Sequence, residues 1–115
     1  MSSDLDFVQY VVDQIAGAGH ITYRKMFGEY GVYCGAKMVA LVVDNQFLLK
    51  NNPPARTLLE SRDSVVEVIP YVGAKPWLAL EDLEDREFLA YLVSVTASTL
   101  PTPKPIIKIN QKSNK

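Results

Sequence analysis

The side chains in this sequence that could do covalent chemistry are few. Cys34 and His20 are the only cysteine and the only histidine. A nucleophilic Cys–His pair would have to be these two, because a thiol attacks as its thiolate and needs a base or cation beside it. Their spacing gives no sign of an activating geometry, and a lone cysteine at a strand end reads as a small apolar residue. One histidine and one cysteine also fall short of a nitrogen and sulfur metal site. The acidic run Glu81, Asp82, Glu84, Asp85 and Glu87 could hold a hard cation weakly. It reads better as a solvated cap on a following helix, where acids suit the positive end of the helix dipole.

Gly28 and Gly31 lack the spacing of a phosphate loop and open no helix, so they read as points where a strand bends. Gly73-Ala74-Lys75-Pro76-Trp77 sets a cation and an indole in a proline-bounded loop. Lys75 and Trp77 could meet an anionic or aromatic ligand there, or Trp77 could plug a sheet edge while Lys75 stays solvated. Arg24 and Lys25 are adjacent in an alternating stretch, so one should face outward and the other should need an inward partner. Tyr23, Tyr30, Tyr33 and Tyr71 could form an aromatic patch near them. Arg24, Tyr30, Tyr71, Lys75 and Trp77 are thus the candidate interaction surface; no cofactor is indicated.

Charge is unevenly spread over the 115 residues. Residues 1–100 hold eight Lys and Arg against thirteen Asp and Glu, whereas residues 101–115 hold four lysines and no acid. Phosphate backbones are held by clustered cations, so the acidic body is a poor nucleic-acid surface. Lys104, Lys108, Lys112 and Lys115 make the tail from 104 to 115 the candidate nucleic-acid segment. Three prolines within residues 101–105 and no helical periodicity mark that tail as disordered, leaving residues 1–103 as one domain. A single cysteine allows no internal disulfide, which fits a reducing cytoplasm. The first residues carry acids where a signal peptide carries positive charge, and no apolar run approaches the roughly 20 residues that span a bilayer.

The elements that must position these residues follow from periodicity. Leu5, Val8, Val12 and Ile15 form an apolar stripe at helical spacing, with Ser3 and Asp6 as a weak capping box and Gly17-Ala18-Gly19 as the stop, which predicts a helix over about residues 4–17. Alternation from Ile21 predicts a bent strand over 21–34, with two shorter strands as the alternative. Met38–Val43 reads as a central strand covered on both faces, and Asp44-Asn45 as a tight hairpin into a strand at Phe47–Leu49. Asn52 before two prolines predicts a helix over about 53–61. Val65–Ile69 and Trp77–Leu80 read as two further strands, and the apolar face of Leu89, Leu92, Val93 and Thr96 as the last helix. The order α-β-β-β-α-β-β-α gives an α+β, two-layer fold: an antiparallel five-stranded sheet with helices on one face.

The block RKMFGEYGVYCGAKMVALVVDNQFLLK, then PYVGAKPW, an acidic helix start and LVSVTASTLPTPK, resembles the N-terminal domain of the TfoX/Sxy family of competence regulators. The likeness covers about residues 5–104 and is most specific at Met-Phe-Gly-x-Tyr-Gly-x-Tyr (26–33) and Gly-Ala-Lys-Pro-Trp (73–77). It implies a two-layer fold with an antiparallel sheet. Longer members add a C-terminal helical domain associated with nucleic-acid contact and regulate DNA uptake; the likeness here is confined to the first domain. The expectation is a non-catalytic regulatory or interaction domain that binds a protein partner or a second copy of itself. The alternatives are an auxiliary nucleic-acid binder acting through the tail and a small-ligand or enzymatic site near Lys75 and Trp77.

Overall fold

The computed structural model describes residues 3–101. The four tail lysines and the boundary at residue 103 lie outside that range. Ten elements follow one another: α1 (Leu5–Gln14), a 3-10 turn (Ala16–Ala18), β1 (Ile21–Met26), β2 (Glu29–Cys34), β3 (Lys37–Val43), β4 (Gln46–Leu49), α2 (Pro53–Ser61), β5 (Glu67–Val68), β6 (Trp77–Ala79) and α3 (Arg86–Thr99). The sheet is antiparallel and ordered β1-β2-β3-β4-β6-β5. It has six strands rather than five, because the stretch 21–34 is two strands and not one bent one.

The reason lies in three two-residue turns. Phe27 and Gly28 both adopt positive φ (51° and 82°), and so do Asp44 and Asn45 (52° and 57°), as type I′ hairpins require. Gly35 alone is positive (62°) in the Gly35-Ala36 turn, the pattern of type II′. These turns match the right-handed twist of their flanking strands, so β1 to β4 form a continuous meander.

All three helices cover one face of the sheet. Val8, Val11 and Ile15 of α1, Ala55 and Leu59 of α2, and Leu89, Leu92 and Val93 of α3 pack on Tyr30, Val32, Val42, Phe47, Leu49 and Leu78. The buried stripe of α1 is therefore Val8, Val11 and Ile15; Leu5 is exposed and Val12 half-buried. The register of β2 on β3 shifts between Val32 and Tyr33, leaving Val39 as an extra residue that also joins this core.

Among the described residues, the opposite face carries no helix. Leu41, Leu48 and Ala79 are nevertheless buried there, beneath Met38, Val43, Val66, Val68 and Trp77. The apolar run in β3 is thus covered by helices on one side and by its own sheet's side chains on the other.

Caps and ties fix the helices. Asn52 accepts a hydrogen bond from the Ala55 amide at 3.1 Å and starts α2. Asp85 accepts one from the Phe88 amide at 3.2 Å and starts α3, so the preceding acids Glu81, Asp82 and Glu84 lie before the helix and not in its first turn. Lys37 donates to the Ala97 carbonyl at 3.0 Å, supplying the cation that the last turn of α3 lacks. Ser3 makes no capping box: its hydroxyl and amide donate to Glu29, whose other oxygen accepts from the Asp44 amide. The chain start is thereby held against two strand ends. Among the described residues no helix is long and apolar enough to cross a membrane.

Candidate interaction surface

β1 is an edge strand, and Thr22 to Lys25 are all exposed. Arg24 and Lys25 point to opposite faces, yet neither is inward in the sense the alternation implied. At the sheet margin the helix layer does not reach Lys25, so both cations stay in water and no buried partner is needed. The Arg24 guanidinium lies over the Tyr33 ring, 5.5 Å from its centroid, on the helix-free face. Tyr23 meets Tyr30 edge to face on the other side, with centroids 5.8 Å apart. The tyrosines therefore split between the two faces. Tyr30 is only 8% exposed and is a core residue, which removes it from any surface patch.

At the tip of the β1–β2 hairpin, Phe27 is fully exposed. Residue types alone drew no attention to it. The available signal was a non-glycine residue preceding Gly28 between two strands, which must accept positive φ if the loop is two residues long.

The other candidates lie at the far side of the sheet. Trp77 pairs with Val68 and is half-buried in the small cluster on the helix-free face. β2, β3 and β4 separate it from Arg24, and at ~4.8 Å per strand that is roughly 19 Å. Tyr71 is 63% exposed and Val72 fully exposed in the loop before β6. The Ala74 amide closes that loop on the Tyr71 carbonyl at 3.1 Å, with Gly73 at φ 88°. Lys75 is exposed. The five candidate residues thus form two separate surface regions and one core position, not one site.

Backbone pairing brings Cys34 and His20 together, with the Gly35 amide donating to the His20 carbonyl at 2.8 Å. Their side chains are not joined by any described hydrogen bond; the thiol points to the Ala18 carbonyl at 3.8 Å. The best-formed cavity is elsewhere, about 240 Å³ between the end of α2, β6 and the start of α3. The Arg62 guanidinium stacks on the Phe88 ring at 3.5 Å and pairs with Asp85 at 3.0 Å beside it. The Arg62 hydrogen bond, with the Phe88 amide second, holds the Asp85 carboxyl below its ordinary value. Neither Lys75 nor Trp77 lines this cavity or the three shallower ones.

The helix-backed antiparallel sheet, with one open edge and exposed apolar loop tips, defines a small two-layer α+β domain. The profile of the TfoX N-terminal domain matches residues 13–98, and the chain belongs to that family. It is also similar to a protein of Spirochaeta aurantia described as an uncharacterized 12.7 kDa protein in the trpE 5′ region. The two are 36% identical over 106 residues, which cover 91% of this chain and 90% of the relative.

Proposed function

We propose that this chain is a non-catalytic protein-interaction domain of the cytoplasm, and that any regulatory role suggested by its family is exerted through contact rather than chemistry. The observation that carries the reading is the pair of loop tips bearing fully exposed apolar side chains, Phe27 and Val72, with Tyr71 and Ile69 exposed beside the second. Exposed apolar groups gathered at loop tips favour partner contact, since water solvates them poorly.

Photo-crosslinking residues placed singly at Phe27, Val72 and Glu60 test the reading in the native host. Discrete protein adducts are expected from the two loop positions and none from Glu60, which lies on the solvent side of α2. Light scattering on the purified chain then separates a second copy from a different protein. Adducts from all three positions alike, or from none, would falsify the proposal.

A further inference from the structure

Among the described residues, β1 is hydrogen-bonded on one side only, to β2. Alternate residues of an edge strand aim their N–H and C=O groups away from the sheet, and no described turn, loop or side-chain hydrogen bond meets the β1 backbone there. Charge distinguishes this edge. Among the described residues, Arg56, Arg62 and Arg86 are ion-paired and Lys37 caps α3, so four of the eight body cations are already committed. Arg24 and Lys25 have no ion pair among the described residues, stand side by side on the open edge, and place one positive charge on each face of it. Phe27 completes the strand's end: it is fully exposed and held at φ 51°, a conformation an aromatic residue adopts at a cost.

We propose, building on the interaction reading above, that the β1 edge docks an extended acidic segment of a partner protein. The segment joins the sheet as an additional strand outside β1. Two consecutive carboxylates on the incoming strand meet Arg24 on one face and Lys25 on the other, and an apolar residue at its end covers Phe27. Main-chain hydrogen bonds supply affinity and the flanking side chains supply selection, the usual division of labour in strand addition. A second copy of β1 is a poor occupant, because pairing two such strands brings four positive charges onto one ladder.

The test is selection from a displayed library of random short peptides against the full chain. Enriched peptides should carry adjacent Asp or Glu among β-branched residues and bind more weakly as salt rises. Their amide shift changes should fall on residues 21–27, and the double variant Arg24→Glu, Lys25→Glu should lose about tenfold or more in affinity. N-methylation of alternate peptide amides should abolish binding to the unmodified protein, a readout that does not depend on the variant folding. Peptides without acids, a short DNA duplex bound at the same strand, or shift changes around Tyr71 and Val72 overturn the edge proposal and leave the interaction reading standing. Failure to enrich any peptide overturns the edge proposal alone, because the crosslinking test decides the interaction reading.

Discussion

Asn52 and Thr96, 44 positions apart, are joined inside the core by a hydrogen bond of 2.8 Å from the asparagine amide to the threonine hydroxyl. The same amide donates to the Lys50 carbonyl at 2.8 Å, while the asparagine oxygen caps α2. The Thr96 hydroxyl in turn donates a hydrogen bond to the Leu92 carbonyl at 2.8 Å. One buried asparagine thus ties the end of the meander, the start of α2 and the last turn of α3.

Replacing Asn52 by Ala removes a cap and leaves Thr96 with one partner fewer, for an expected loss of about 2–3 kcal/mol. Thr96→Val leaves one amide proton of Asn52 without a partner and should cost about 1–2 kcal/mol. Urea unfolding of both variants and the double mutant should give a coupling of about 1 kcal/mol. Strict additivity sinks the assignment.

Phe27→Asn should stabilise the domain by about 0.5–1 kcal/mol, because asparagine tolerates the left-handed conformation and the lost ring touches nothing. The same variant should weaken partner binding. Thermal unfolding checks the first effect, and a lower melting temperature rules out relief of strain.

Trp77 and Lys75 separate packing from binding. Trp77→Ala opens the helix-free cluster over Leu48 and should cost about 2 kcal/mol. Lys75→Ala should stay within about 0.5 kcal/mol. A large loss at Lys75 in urea unfolding contradicts its solvated position.

The Arg62 pairing gives the domain a defined acid response. Asp85 titrates lower folded than unfolded, so the unfolded chain binds more protons in that window and stability rises with pH across it. The contribution is complete above the ordinary carboxylate range and is lost as pH falls through the lowered value. Asp85→Asn keeps the cap geometry and removes the charge. Its stability deficit should be present at neutral pH and shrink as pH falls through and below the ordinary carboxylate range; a deficit constant with pH disproves the linkage.

The second helix was fully legible: Asn52, Pro53 and Pro54 encode its start locally, and it occupies Pro53–Ser61 as the spacing predicts. Local signals failed where tertiary contacts decide. Phe27-Gly28 is a hairpin turn without the usual Asn-Gly signature, so two strands read most simply as one. Val65–Ile69 is rich in β-branched residues, but only Glu67 and Val68 find a partner, in β6. Arg24 and Trp77 were grouped by chemistry, and strand order alone parts them.

The neighbour-to-neighbour order of β1 to β4 bears on how the chain is made. Each of these strands pairs with the one just synthesised, so the meander can close as soon as Leu49 is available. Arg86, the first residue of α3, comes 37 positions later. At ~5–20 residues per second, the apolar face that α3 covers stays bare for roughly 2–7 s on a translating ribosome. Neighbouring nascent chains on one message would then present uncovered sheet faces to each other, and charged side chains on an edge strand, as Arg24 and Lys25 are here, disfavour edge-to-edge pairing.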